Sequence, residues 1–397
     1  MNTCNAYEKI QSVEKIEKQA TELLDSLIDD STAVIGVTGQ MHGIVYTNKE
    51  GRAVSPLYTW QDGRGNLPYK GTTYAKHLGS FSGYGLVTDF YNRENGIRPS
   101  GATGFCTIHD YFVMRLCGLK APFIHSTDAA SFGLYNVENN RFLCDCEIEP
   151  ITQYHIAGSY KGIPVSVAIG DNQASAFSAI ADSESILLNV GTGSQVSVVS
   201  SCVRSGNNIE TRPYFENKYL LVGAALCGGR AYSLLKSFFS DILKYTEPKT
   251  DEEVYKIMDL MLKDAQSEQP LTVDTRFAGT RQNTEICGSV CKITTENFTP
   301  GSFVRGTING IAAELYNMYL EMGEKRNAIV GSGNGIRKNV ALCKAFEKLF
   351  NAEMMLPRHI EEAAYGAALF GYISSGCLKN AADASRLIKY KNRGEEQ

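Results

Sequence analysis

The sequence lacks the usual markers of metal, membrane and nucleic-acid proteins. Its eleven cysteines are an odd number and include no Cys-x-x-Cys pair; Cys144 and Cys146 flank one residue, Cys287 and Cys291 flank three. A structural zinc site needs paired ligand spacing, so zinc is not expected and the thiols read as free groups in a reducing compartment. No stretch approaches the roughly 20 apolar residues of a membrane-spanning helix. Residues 1–18 are polar, with no apolar signal core, so a cytoplasmic location is expected. A net charge of −4 gives no broad basic field, and nucleic acid is not an expected partner. The phosphate-cradling pattern Gly-x-x-x-x-Gly-Lys-Ser/Thr is missing too.

What is present is an ordinary soluble composition, 43% hydrophobic and 21% charged, on 397 residues, a length for which two domains are the default. Apolar residues at helical spacing predict a helix over residues 7–28, with Ile10, Val13, Ile16, Ala20, Leu23, Leu24 and Leu27 on one stripe. Short apolar runs predict strands at 33–37, 44–47, 165–169, 185–190, 195–199 and 328–330. Helices are expected over 106–118, 229–245, 252–265 and 302–323, from about 338, and around 363–369. Alternating short strands and helices indicate an α/β architecture. The expected division places one domain at 1–182 and a second at 183–397.

Several turns carry chemistry. Gly191-Thr192-Gly193-Ser194 joins two strands, and its backbone N–H groups could converge on an anion; a plain hairpin turn is the alternative. Gly331-Ser332-Gly333-Asn334-Gly335 joins a strand to a helix, which suits either an anionic ligand or a tight connection. An anionic nucleotide would have to be held by such local dipoles and by metal. Asp171 follows an apolar strand within Gly170-Asp171-Asn172-Gln173, where a carboxylate either reaches a cleft as a proton acceptor or caps the next helix. Gln40, Met41 and His42 follow another strand, and the only tryptophan, Trp60, stands beside Gln61, Asp62 and Arg64. An aromatic face with planar polar groups is a sugar-binding mixture, although a lone histidine after a strand is often structural.

Taken in order, these segments resemble the FGGY family of carbohydrate kinases. Gly39-Gln40-Met41-His42-Gly43 with Trp60-Gln61-Asp62-Gly63-Arg64 is similar to the sugar-site pair of its ketose kinases. Thr107-Ile108-His109-Asp110-Tyr111 and Asp128-Ala129-Ala130-Ser131 are closer to the sedoheptulokinase branch. The resemblance runs from about residue 7 to about 375. It implies a two-domain, ribonuclease-H-like, actin-type ATPase fold with an interdomain cleft, ATP with Mg2+ as donor, and a ketose, sedoheptulose first, as acceptor. It also implies roles: Asp171 as catalytic base; Gln40, Met41, His42, Trp60, Asp62, Arg64 and Asn172 lining the sugar; Gly191, Thr192, Gly193, Gly331, Ser332 and Gly333 cradling the nucleotide. No residue is assigned to metal.

Two departures from the family pattern stand out. The family's first hairpin, with Asp-x-Gly-Thr-Thr, is not found, so the first domain is expected to lack its opening strands. Gly279-Thr280-Arg281 also stands where Gly-Glu-Arg is frequent. The alternatives are a catalytically impaired, sugar-binding remnant of such a kinase and an actin-like ATPase with a non-sugar substrate. The expected partners are the ketose and MgATP, with neither nucleic acid nor membrane, and a homodimer is left open.

Overall fold

The computed structural model of the chain describes residues 5–264, 271–281, 283 and 285–391. They form two compact units. One contains the described residues up to Ser178 with Arg212–Tyr219 and His359–Ile388; the other contains Ala179–Thr211, Leu220–Arg358 and the described residues from Lys389.

In the first unit the opening helix is shorter than its apolar spacing predicts. Helix α1 spans Val13–Leu27, because Ile10–Gln11 pair antiparallel with Leu57–Tyr58 and the Ser12 side chain caps the helix by accepting from the Lys15 N–H. Its stripe is only partly covered: Val13 is buried, Ile16, Ala20 and Leu24 are half-buried, and Leu23 and Leu27 are exposed. The expected strand over 33–37 makes a single bridge, Ile35 to Val165, and regular pairing starts only at β1 (Thr38–Gly39). Strand β2 (Val45–Thr47) pairs antiparallel with β3 (Gly104–Cys106). Between them lies α2 (Gly85–Glu94), which its many polar residues hide from periodicity. Helix α3 (Ile108–Leu116) opens on a capping box of Thr107 and Asp110, and the short α4 (Ser126–Ser131) follows.

Strands β4 (Ile156–Tyr160) and β5 (Ile163–Ser166) form a hairpin. The apolar run expected as one strand over 165–169 is split, because β5 ends at Ser166 and the next strand, β6 (Ile169–Gly170), pairs elsewhere. Strand β6 lies parallel to β1 with Gly170 opposite Gly39, and feeds α5 (Asp171–Ala179) directly. Ile44, Val45, Tyr46, Leu57, Phe105, Met114 and Phe132 form the core beneath.

The second unit is built on a six-stranded sheet. Its strands are β7 (Ser185–Val190), β8 (Ser194–Ser200), β9 (Ile209–Pro213), β10 (Tyr219–Ala225), β11 (Ala328–Ser332) and β12 (Met354–Met355), in the order β9-β10-β8-β7-β11-β12. Strand β7 is antiparallel to β8 and parallel to β11. Strands β9 and β10 were not among the expected elements; Glu210, Thr211 and Arg212 interrupt the apolar pattern of the first. Helices α6 (Gly229–Leu243), α7 (Asp251–Asp264) and α8 (Pro300–Glu321) follow. Ala265, the expected last residue of α7, lies outside the described residues. Helix α8 has Thr299 as cap and proline in its first turn, and buries Val304, Ile308, Ile311 and Leu315 against Ile186, Leu188 and Val196 of the sheet. Short α9 (Asn334–Arg337) and α10 (Val340–Phe350) follow β11.

The chain then returns to the first unit as α11 (Glu362–Ser374). Small residues let this helix press on backbone. A Cβ on Gly366 would lie 1.9 Å from the Ala174 carbonyl oxygen of α5, and one on Gly36 would lie 2.0 Å from the Ala367 oxygen. That contact at Gly36 accounts for the irregular backbone before β1.

Candidate active site

Strands β1 and β6 run parallel in register, so the residues after them leave from the same carboxyl end. Those residues are Gln40 and Asp171. Ligands of open α/β sheets bind at this end. Met41 folds onto the same spot: a Cβ on Gly170 would meet its sulfur at 2.8 Å. Gln40 donates to the Gln11 side chain at 2.9 Å. His42 has a left-handed backbone (φ 72°), held because its N–H donates to Ser131 Oγ at 3.0 Å and its ring stacks on Tyr84 at 4.2 Å. A non-glycine residue in that region stores strain that the surroundings must offset.

Asp171 is half-buried at the first position of α5. Burial pushes its carboxyl above the ordinary aspartate range, the nearby Asp128 adds to this, and His109, the Asn172 N–H and Arg212 pull it down. Asn172 accepts from Arg212 Nη1 at 3.0 Å, and Gln173 donates to the Pro213 carbonyl at 3.2 Å. His109 on α3 is buried and contacts Asp128 of α4 at 2.9 Å through Nε2. Burial alone would lower its pKa, but Asp128, with Asp110 and Asp171 behind it, raises it to about 9.

Sequence reasoning gave His109 and Asp128 no role. A histidine and an aspartate in two separate short helices carry no spacing signal. Arg212 lies at the end of a strand that was itself unforeseen. Helix α4 ties β6, His109 and His42 together. Its Thr127 Oγ1 accepts from the Gly170 N–H at 3.2 Å, its Asp128 holds His109, and its Ser131 holds His42.

Trp60, Asp62 and Arg64 divide into two kinds. The Trp60 ring is 53% exposed. Asp62 and Arg64 are fully buried and close on each other, with Arg64 Nε 2.6 Å and Nη2 3.1 Å from the two carboxylate oxygens. Arg64 also donates to Asn92 and lies 4.3 Å from the Tyr58 ring centroid. The pair thus fixes the loop beneath Trp60.

In the second unit a cavity of about 1050 Å³ is lined by Gly191 and Thr192 from one turn and Gly333, Asn334 and Gly335 from the other. The volume is at the upper end of ordinary ligand sites, about 300–1,000 Å³. Gly193 and Ser332 stand behind this lining: the Gly193 carbonyl accepts from the Gly191 N–H, and Ser332 Oγ accepts from Asn189 at 2.7 Å. Gly331 is buried there as well, where a Cβ would meet Ile336 at 2.7 Å. Gly333 has φ 82°, and a Cβ there would fall 2.6 Å from the Val190 carbonyl oxygen. The cavity also presents Arg230, Lys256 and Lys338, the acids Glu252 and Asp259, with Lys256 donating to Glu252 at 2.7 Å, and the stacked rings of Tyr232 and Tyr255. Cationic groups, a glycine-lined floor and flat aromatic surface suit the phosphates and base of a nucleotide.

The model of the FGGY family of carbohydrate kinases, C-terminal domain, matches residues 187–375. Human (Homo sapiens) sedoheptulokinase is 30% identical over 85% of this chain and 80% of its own length; the mouse (Mus musculus) sedoheptulokinase is 29% identical over 90% and 86%. The crystal structure of ligand-bound xylulose kinase from Lactobacillus acidophilus superposes with a TM-score of 0.80, at 16% identity, over 99% of this chain and 86% of that one. The fold is therefore the α/β, actin-like ATPase fold of these kinases. The chain belongs to the FGGY family of carbohydrate kinases, and so to the ATP-dependent phosphotransferases that act on sugars.

Proposed function

We propose that the chain transfers the γ-phosphoryl group of ATP to a terminal hydroxyl of a ketose, with sedoheptulose as the preferred acceptor and Asp171 as the base. The observation that carries the reading is the shared exit of Asp171 and Gln40-Met41-His42 from β6 and β1. Similarity to sedoheptulokinases supports the choice of sugar. Phosphoryl transfer asks little covalent chemistry of a protein; it needs the hydroxyl oriented, its proton accepted and the phosphates held. Asp171 would accept the proton. Gln40, Met41, His42 and Asn172 would line the sugar, with Trp60 offering a face for its C–H surface. Asp62 and Arg64 enter this reading through the position of Trp60. The glycine turns at 191–193 and 331–333 would hold the nucleotide. Mg2+ would arrive with the ATP and neutralise charge on the phosphates, and no side chain of this chain is assigned to it.

The test is an ADP-release assay with sedoheptulose and xylulose. Turnover with sedoheptulose is expected to exceed that with xylulose. Asp171→Asn is expected to lower kcat about 10²–10⁴-fold while sugar affinity measured by calorimetry stays nearly constant. Because burial raises the Asp171 carboxyl, turnover is lost on acidification at a pH above the ordinary aspartate range. An Asn variant that turns over normally, or a wild type silent with both sugars, overturns the reading.

A further inference from the structure

The His109–Asp128 pair is buried and adjacent to the site, yet no step above uses it. Among the described residues, His109 Nδ1 and Asp128 Oδ2 are buried polar atoms without a hydrogen-bond partner. The ring has a defined seat. A Cβ on Gly39 would lie 2.7 Å from His109 Nδ1, so the imidazole occupies the space that the glycine leaves open. Gly39 is the ladder partner of Gly170, and Asp171 is the next residue. The Nδ1 edge therefore sits over the strand pair whose ends carry the reacting groups, while the Nε2 edge is fixed on Asp128.

We infer that His109, clamped by Asp128, is carried as an imidazolium and is the positioning residue that keeps Asp171 ionised and aligned for proton acceptance. The inference rests on Asp171 being the base. The surrounding charges fit it. Asp110, on the same helix, accepts from the Thr107 N–H and hydroxyl, and burial together with Asp128 raises its carboxyl well above the ordinary aspartate range. His125, which caps α4 by accepting from the Thr127 N–H, is kept neutral by burial, with a pKa lowered to about 4. His109 is surrounded by Asp128, Asp110 and Asp171, and Asp171 in turn has His109 and Arg212 near it. A cation next to a half-buried carboxylate favours its charged form and opposes the effect of burial.

Three variants and one spectrum test the inference. In His109→Gln the acid limb of kcat with sedoheptulose and MgATP is expected to move to higher pH. Turnover at about pH 6 then falls about tenfold relative to wild type, turnover at about pH 8 changes far less, and the KM for ATP is unaffected. His109→Lys, which keeps a positive charge, is expected to return the limb to its wild-type position. An unmoved limb in the glutamine variant overturns the inference, and so does a lysine variant that behaves like the glutamine one. Nitrogen NMR of the histidine-labelled wild-type chain needs neither variant to fold. One of its six imidazoles should remain doubly protonated at about pH 8, where an unperturbed histidine is neutral; finding all of them neutral overturns the inference. If Asp171→Asn keeps full turnover, it is the identity of the base that fails, and the spectrum still reports on His109 separately.

Discussion

Arg64 and Asp62 are each about 1% exposed, and burying a charge costs several kcal/mol unless a partner and further hydrogen bonds offset it. Here the guanidinium has a bidentate carboxylate, the Asn92 amide and the Tyr58 ring face. Removing one partner strands the other. Asp62→Ala should therefore destabilise the first unit by about 3–5 kcal/mol, read as a lower urea midpoint in the fluorescence of the single tryptophan. Arg64→Met strands Asp62 in turn, but that carboxylate still accepts from the backbone N–H groups of Lys9 and of position 64, so this variant should cost less in the same measurement. At this scale the sequence was legible only where chemistry is local. Asp171 and the Gln40-Met41-His42 segment could be singled out because each directly follows an apolar strand. The pairing of His109 with Asp128, and of Arg212 with Asn172, depends on which elements pack together, and no periodicity encodes that.

Helices α4 and α11 do most of the positioning, and neither has a strong amphipathic signature. α4 is six residues long, and its importance lies in three hydrogen-bonding side chains that reach a strand (Gly170), a helix (His109) and a loop (His42). α11 works through close approach. Replacing a helical glycine with alanine ordinarily gains about 1 kcal/mol of helix propensity. At Gly366 the new methyl would lie 1.9 Å from a carbonyl oxygen of α5, the helix that begins with Asp171, and backbone cannot swing aside as a flexible side chain would. Overlap wins. Gly366→Ala is expected to lower Tm and to reduce kcat, while ATP affinity is retained because the cavity proposed for the nucleotide lies in the other unit; a raised Tm would show that the helices separate at little cost. The elements themselves were readable where an apolar run was bounded by glycine or a cap, as at Ser185–Val190 and Ile108–Leu116. They were misread where a ladder or a close contact overrode spacing, as at Ile10–Gln11 and Gly36.

For the whole molecule, the order of motifs carried the family assignment, since each turn alone is common. The structure adds that the two glycine turns open on one cavity, whereas Gly331 and Ser332 stand behind its surface. A ligand that binds only the folded state stabilises it by mass action, about 2.7 kcal/mol at a hundredfold excess over Kd. ATP and sedoheptulose should each raise Tm in a thermal-shift assay. Gly333→Val, which forces a side chain into φ 82° and against the Val190 carbonyl, should remove the ATP shift and leave the sugar shift. Loss of both shifts together would argue that the turn supports the fold at large.

The glycine contacts around β1 and β6 also bear on how this enzyme could be hardened for use at higher temperature. A library that swaps glycine for alanine usually gains stability by narrowing the unfolded ensemble. At Gly36, Gly39 and Gly366 the missing methyl is itself the fitted part, because each added Cβ would come within 3 Å of backbone or of the buried His109 side chain. These three sites behave as a mould with no clearance, so such a library would lose catalysis and robustness together there. Useful rigidity has to be sought in loops away from the strand pair that leads into Asp171, the proposed base.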